Sequence, residues 1–383
     1  MSDAASDRAL AELRAPLVST EQVHLNNAGV SPMTLRARDT GVLTFERMRE
    51  GSLAVGGLLH DYEAARATFA RLLGAAHDDT SFFQTCAAAI SQVAFGMKLA
   101  AGDEILLVDQ EYPSNAYPWH RAAERAGARV VVVASAADYA IDVDRLLGAV
   151  SKRTRVIAVS SVQYSTGTTL PLRPLADAVH ANGGWLVLDA IQGLGVLPLD
   201  LATSGADAIC GGAHKWLLGP IGHGFLALAP GRAVELQPLM HGAMTYGTPD
   251  DLVDPARLPR TDPRRFEPGT PLLLGALAAA ASVELLLQIG IDRVHAEATA
   301  IADLVVAAAR KRGLVIVHGS GPLRSPITTV VPRRREPTEL VAALRARGCS
   351  TAARGGGVRI SPHAHNGPQH VERLFSLWDD LDR

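Results

Sequence analysis

The chain has 383 residues, 48% apolar and 20% charged, with a formal net charge of −2 at pH 7. That suggests two or three domains, or one large and one small, and lacks the basic footprint of a nucleic-acid binder or membrane-surface protein. Its three cysteines, Cys86, Cys210 and Cys349, have no metal-type spacing and cannot all pair, which favours a reducing compartment. The polar N-terminus lacks a signal-peptide core and no run reaches ~18 apolar residues, so a cytoplasmic protein acting on small organic substrates is expected, without nucleic acid, membrane or metal.

Residues 6–22 read as a short helix, and Asn27-Ala28-Gly29 after it allow either a close backbone approach to a ligand or a plain turn. A helical pattern runs from Thr34 to about Leu73, with breaks expected at Gly51 and Gly56-Gly57. Ser81 to Gln84 reads as a short strand, and Thr85-Cys86-Ala87-Ala88-Ala89 opens a helix whose exposed N–H groups can hold a phosphate; plain βα packing explains the alanines as well. Strands at 104–108, 129–133, 155–159, 184–189, 206–210 and 224–228 then follow, with helices near 114–127 and 143–150. Continuous apolar strands separated by helices indicate an α/β fold with a mainly parallel sheet covered on both faces. In such sheets ligands sit beyond the carboxyl ends of the strands, where Tyr112, Gln163, Asp189 and Lys215 fall. Residues 241–270, rich in Gly, Pro and Thr, read as a long loop at a domain or subunit boundary. Helices at 272–290 and 292–312 precede a smaller α+β region, with strands at 315–317, 327–331 and 358–360 and helices at 336–347 and 369–381.

Only four lysines occur, at 98, 152, 215 and 311. Lys152 and Lys311 have charged neighbours and Lys98 ends an apolar helix pattern, whereas Lys215 lies in Gly-Gly-Ala-His-Lys-Trp-Leu-Leu-Gly-Pro directly after a strand. A lysine desolvated there has a lowered pKa and an amine free to form an imine with an aldehyde; a lysine that reaches from the loop to water is the plain alternative. Asp189 ends the apolar strand Leu-Val-Leu-Asp, where a carboxylate needs a cation or several donors, unless it only caps the next turn. A pyridinium nitrogen is one such cation, and Gln192 lies within reach of the same ring's oxygen. Imine lysine, ring-nitrogen carboxylate and phosphate cradle together are the layout of a pyridoxal phosphate (PLP) site.

Asp189-Ala190-Ile191-Gln192, His214-Lys215-Trp216-Leu217, Arg265-Phe266-Glu267-Pro268-Gly269-Thr270 and Arg359-Ile360-Ser361-Pro362-His363 occur in an order that closely resembles the class V aminotransferase family of fold type I PLP-dependent enzymes, which includes cysteine desulfurases, isopenicillin N epimerases and kynureninases. The resemblance spans 24 to about 375. It implies a large cofactor-binding domain over 24–270, a small C-terminal domain of 291–383 with the segment 1–23, and 271–290 as the connecting helix. By that resemblance Lys215 carries the cofactor and moves protons at Cα, Asp189 partners the ring nitrogen, Gln192 bonds the ring hydroxyl, and Tyr112 stacks on the ring. Cys86, Ala87 and Ala88 at the helix start, with His214, correspond to the phosphate cradle. Thr270 corresponds to the residue that reaches the phosphate of a neighbouring subunit, which implies a homodimer with shared sites. Arg359 corresponds to the clamp on the substrate α-carboxylate, with Asn27, Ala28 and Gly29 as further substrate-side candidates. Gln163 and Tyr164 both lie near the second ring-hydroxyl contact, and the choice between them is open. Ala87 and Gly212 stand where many relatives have hydroxyl side chains, so the cradle here depends more on backbone N–H groups.

Cysteine desulfurases carry a nucleophilic cysteine on a loop shortly before the carboxylate arginine; Ala352-Ala353-Arg354-Gly355-Gly356-Gly357 has none, and Cys349 reads as a strand residue packed like a small hydrophobe. The expectation is a PLP-dependent enzyme acting on an α-amino acid by β-elimination, as on an S-substituted cysteine, without a persulfide cysteine. Transamination and epimerisation are the alternatives. A catalytically dead binding protein of this fold would be expected to lack Lys215 or Asp189, and both are present.

Overall fold

The computed structural model describes residues 3–15, 17, 22–137, 139–247, 254, 256–319 and 321–383. In chain order the first elements are α1 (Asp3–Leu13), β1 (Val23–His24), α2 (Leu35–Met48), α3 (Ser52–Leu73), β2 (Thr80–Phe83), α4 (Cys86–Gly96), β3 (Glu104–Val108), α5 (Pro113–Ala126), β4 (Arg129–Val133) and α6 (Val143–Gly148). There follow β5 (Thr154–Ser160), α7 (Leu172–His180), β6 (Trp185–Asp189), α8 (Leu201–Ser204), β7 (Ala208–Gly212) and β8 (Gly224–Leu228). The remainder is α9 (Leu273–Ile289), α10 (Ile291–Lys311), β9 (Val315–His318), β10 (Thr328–Val331), α11 (Pro337–Ala346), β11 (Cys349–Ser350), β12 (Ala352–Arg354), β13 (Gly357–Ile360) and α12 (Pro368–Leu381).

The seven-stranded sheet has the order β2-β8-β7-β6-β5-β3-β4. Its strands are parallel except β8, which runs antiparallel to both β2 and β7. The carboxyl ends of the other six therefore share one edge. Alternation along each strand sorts the core into two layers. Ile157, Val159, Leu186 and Leu188 pack into the layer that includes α3 and α9, while Val156, Ala158, Trp185 and Val187 pack into the layer with α4 and α5. The smaller region has an antiparallel sheet, β12-β13-β10-β9, packed with side chains of α10, α11 and α12. The N-terminal segment is stitched to it by the parallel pair β1–β11 and the bridge from Asn26 to Ser361.

Two expectations need correction. Gly56 and Gly57 do not break the helix, because α3 continues through them for 22 residues: burial of Leu58, Tyr62, Ala65 and Phe69 on one face outweighs a glycine cost of about 1 kcal/mol each. The actual break is Gly51, whose φ of 58° lies in the left-handed region. The helix expected over 6–22 spans Asp3–Leu13 instead; residues 16 and 18–21 of that range lie outside the described residues. Between β8 and α9 the long loop contains short 3₁₀ turns at Ala243–Tyr246 and Pro263–Phe266, and 248–253 and 255 lie outside the described residues.

The Arg-Phe-Glu-Pro-Gly-Thr segment is anchored by Glu267. Its carboxylate takes two bonds from the buried Arg66 guanidinium on α3, at 2.6 and 2.9 Å, one from the Phe82 N–H at 2.8 Å and one from the Tyr62 hydroxyl at 3.1 Å. Removing one partner of a buried ion pair strands the other charge. Glu267→Ala should therefore cost about 3–5 kcal/mol, whereas Asp61→Ala, which breaks the part-exposed pair with Arg47, should cost about 1 kcal/mol or less. Thermal unfolding of the two variants side by side checks this; equal shifts would show that Glu267 is not an anchor.

Candidate active site

The site lies where β6 and β7 end. Asp189, the last residue of β6, is 3% exposed. Its Oδ1 accepts the Ile191 N–H at 3.0 Å and the Cys86 thiol at 3.5 Å, and Oδ2 accepts no hydrogen bond among the described residues. Burial raises the Asp189 pKa, opposed by the Ile191 N–H and by the charge of Lys215. The sheet thus holds a carboxylate that lacks a full complement of donors at an edge where a cation would stabilise it.

Lys215 lies on the loop that turns the chain from β7 back into β8. The Leu218 N–H bonds to the Lys215 carbonyl at 3.0 Å, and Leu218 itself has a φ of 53°, an uncommon conformation for a bulky residue. Other elements hold this turn in place. The Ser282 hydroxyl on α9 donates to the carbonyls of Leu217 and Leu218, and the N–H groups of Ser31 and Thr34 bond to the carbonyls of His214 and Leu218. Burial pushes the Lys215 ammonium down to about 8, against the attraction of Asp189. Burial, helped by the charge of Lys215, pushes neighbouring His214 down to about 4.

The Lys215 Nζ lies 5.6 Å from the centre of the Tyr112 ring, which meets the Tyr164 ring edge-on at 5.1 Å. Tyr112 is 41% exposed, so its ring forms an open wall. Behind it the buried carboxylate of Glu111, a residue the sequence reading passed over, accepts from Asn115, from the Ser160 N–H and hydroxyl, and from Gln163 Nε2. Burial raises its pKa against those four donors. Gln163 is fully buried and its Oε1 has no partner. Of the two candidates left open, Tyr164 contributes a ring beside Tyr112, and Gln163 contributes an amide tied to Glu111.

Gln192 is engaged as a brace. Its Nε2 donates to the Ala28 carbonyl at 3.0 Å and its Oε1 accepts the Trp216 indole N–H at 2.8 Å, so one amide N–H is left for any other contact. Asn27 is also committed: its amide donates to the Ser361 carbonyl and accepts from Ser31. The Ala28 carbonyl accepts from Gln192, and its N–H donates to the Ser361 hydroxyl oxygen. Gly29 packs so closely on the Asn26 amide that a Cβ would lie 2.7 Å from it. Asn26, which the sequence reading did not single out, reaches Arg359 by accepting its Nη2 at 3.2 Å, while Nη1 donates to the Tyr164 carbonyl at 2.7 Å. Arg359 is 3% exposed and its Nε has no partner; burial pushes its guanidinium down to about 10. His363 completes the stitching. Its Nδ1 accepts the Ala364 N–H, so Nε2 carries the proton donated to the Trp216 carbonyl at 3.0 Å, and burial pushes the ring down to about 4.

The start of α4 faces the same edge. Thr85 caps it by accepting the Ala88 N–H at 3.0 Å, so the N–H groups of Cys86 and Ala87 are the ones left for an anion. Gly224 lets β8 approach this helix start; a Cβ there would lie 2.4 Å from the Thr85 carbonyl carbon. Thr270 is exposed and makes no side-chain hydrogen bond among the described residues, so its own chain leaves it available.

These groups fit PLP by their chemistry: a desolvated amine for the aldehyde, a buried carboxylate with one free oxygen for the ring nitrogen, an aromatic wall, an orphaned buried amide oxygen, and a helix start with free N–H groups for the phosphate. The fold is that of fold type I PLP-dependent enzymes. The chain belongs to the aminotransferase class-V family, whose model matches residues 47–374. It is 28% identical over 336 residues to a probable cysteine desulfurase of Methanothermobacter thermautotrophicus and 31% identical over 333 residues to the isopenicillin N epimerase of Streptomyces clavuligerus, in each case covering 83% of both chains. Among solved structures, the apo cysteine desulfurase of Thermococcus onnurineus superposes with a TM-score of 0.87 at 21% identity, covering 94% of this chain and 95% of that one. The cystine C-S lyase C-DES, in complex with its product cysteine persulfide, superposes with a TM-score of 0.86 at 18% identity, covering 94% of this chain and 98% of that one.

Because the Lys215 value lies below the ordinary 10.5, its neutral, nucleophilic form prevails above about pH 8 and is lost below it. The rate at which cofactor-free protein takes up PLP should therefore rise with pH and level off above about 8. Lys215→Ala should abolish the visible band of the bound cofactor, and a band that borohydride still fixes to that variant would place the link on another amine.

Proposed function

We propose that the enzyme cleaves the Cβ–S bond of an S-substituted cysteine-like amino acid and releases the sulfur as a free thiol, with no persulfide formed on the protein. One observation carries this reading. The segment before Arg359, where a sulfur-accepting cysteine would stand, is a tight hairpin: β12 and β13 pair with Arg354 opposite Gly357, joined by Gly355 and Gly356 with φ of 57° and 73°. It contains no cysteine. Cys349 is 0% exposed in a strand paired to β1, and burial pushes its thiol up to about 12. Cys86 and Cys210 are buried as well, with pKa values raised by burial. A thiol in those positions does not attack sulfur. The likeness to a C-S lyase structure supports the same reading.

When bound, PLP supplies an electron sink for the pair left on Cα after loss of a proton. The protein's contributions follow from the geometry. The Arg359 guanidinium, oriented by the Asn26 side chain and the Tyr164 carbonyl and without an ion pair among the described residues, takes the substrate carboxylate. Lys215, about half deprotonated near pH 8, takes the Cα proton and can return it to the departing sulfur. Asp189 holds the balancing negative charge beneath the site. The net reaction takes an S-substituted cysteine and water to a thiol, pyruvate and ammonium.

The test is the product. S-alkyl cysteines should give pyruvate and thiol in equal amounts, and Cys349→Ala should not stop turnover. Pyridoxamine phosphate accumulating in place of pyruvate would establish transamination, α-deuterium exchange with loss of chirality would establish epimerisation, and a persulfide on the protein would refute the cysteine argument.

The same reading makes the enzyme a homodimer in a reducing cytoplasm. Val42, Leu43 and Phe45 on α2 are each 59% exposed and Leu53 on α3 is 89% exposed, an apolar surface suited to a second copy, with the exposed Thr270 available to that copy's phosphate site. Sedimentation velocity should show a dimer that Phe45→Asp with Leu53→Asp converts to monomer with weakened PLP retention; a wild-type monomer holding full PLP would remove the shared site.

A further inference from the structure

Arg354 makes an unusual neighbour for Arg359. In the β12–β13 hairpin Ala352 pairs with Arg359 and Arg354 with Gly357. Directly opposed residues of an antiparallel pair point to the same face, and so do residues two apart on one strand. Arg354 and Arg359 therefore project from the same face, diagonal neighbours separated by about 7–8 Å. Thr329, opposite Arg359 on β10, shows which way this face looks: its hydroxyl bonds to the Ser165 carbonyl beyond Tyr164. The hairpin turn packs against the same stretch, since a Cβ on Gly355 would lie 3.0 Å from the Ser165 carbonyl.

Arg354 is exposed, its only hydrogen bond runs to the carbonyl of Ala353, and it has no carboxylate partner among the described residues. Arg359 likewise has no ion pair among them, and the charge of Arg354 acts on both Arg359 and Lys215. Two guanidinium groups on one face, neither paired with a carboxylate among the described residues, give this side of the site an excess of positive charge.

We propose that Arg354 selects substrates with a second anionic group at the end of the side chain, so that Arg359 takes the α-carboxylate and Arg354 the distal one. The matching class is an S-substituted cysteine whose sulfur substituent ends in a carboxylate, separated from Cα by three atoms (Cβ, sulfur and a methylene). This rests on the assignment of Arg359 and Lys215 to the amino-acid site, and it names the substrate class of that site.

The experiment uses PLP-loaded enzyme and two nearly isosteric ligands, S-carboxymethyl-L-cysteine and its neutral amide S-carbamoylmethyl-L-cysteine. Affinity is read by calorimetry and product by pyruvate release. The acid should bind about tenfold more tightly than the amide, and the ratio should shrink as salt rises. Arg354→Gln should bring the ratio to about one, and Arg354→Lys should restore part of it. Equal affinities in the wild type, no binding of either ligand, or a preference that survives Arg354→Gln would each overturn the proposal. Binding with the expected ratio but no pyruvate would leave the charge selection standing and refute the C–S cleavage, so the two failures are separable.

Discussion

The structure depends on an amine and a carboxylate placed at the carboxyl ends of adjacent strands and kept from water. Burial disfavours the charged form of each, and each counters that cost for the other. Such a pair persists only if the surrounding backbone cannot relax. Hence the left-handed Leu218, the two bonds from Ser282 and the bracing of Trp216 by Gln192 and His363, all within a few residues of Lys215. Burial lowers the amine to about 8, and that bracing keeps it buried.

The second requirement is that Arg359, carried by a different sheet, be held in a fixed place relative to the amine. Hydrogen bonds across the two regions do this. Asn26 and Tyr164 orient Arg359, Asn27 and Ala28 join Ser361, and His363 joins Trp216. The N-terminal segment is thus part of the site although it supplies no reacting atom: it bonds to β13 on one side and through Gln192 to the lysine loop on the other. Glu111 has a similar supporting place behind the aromatic wall, where one carboxylate gathers donors from α5, β5 and the loop of Gln163.

Within a family whose members share this frame, the chemistry is set by what stands around the substrate. Here the hairpin before Arg359 is closed by two glycines and carries an arginine instead of a thiol, and all three cysteines are sealed in the core. Two guanidinium groups on one face and no exposed thiol among the described residues are the features that distinguish this site's surroundings.

The amino-acid order alone determined the alternation of apolar strands and helices, the placing of Asp189 and Lys215 at strand ends, and the lack of a cysteine before Arg359, because these are local: period, strand length and residue type carry them. It was misleading at Gly56 and Gly57, where glycine's local preference gave way to the packed face of α3. It was silent on partners distant in sequence. That Gln192 and Asn27 spend their amides on neighbours, that Asn26 rather than Asn27 touches Arg359, that Glu111 underlies Tyr112, and that Arg354 shares a face with Arg359 follow from strand register and from contacts between residues far apart in the chain. Only the tertiary fold decides those, since a side chain's hydrogen bonds and desolvation depend on what the rest of the chain brings to it.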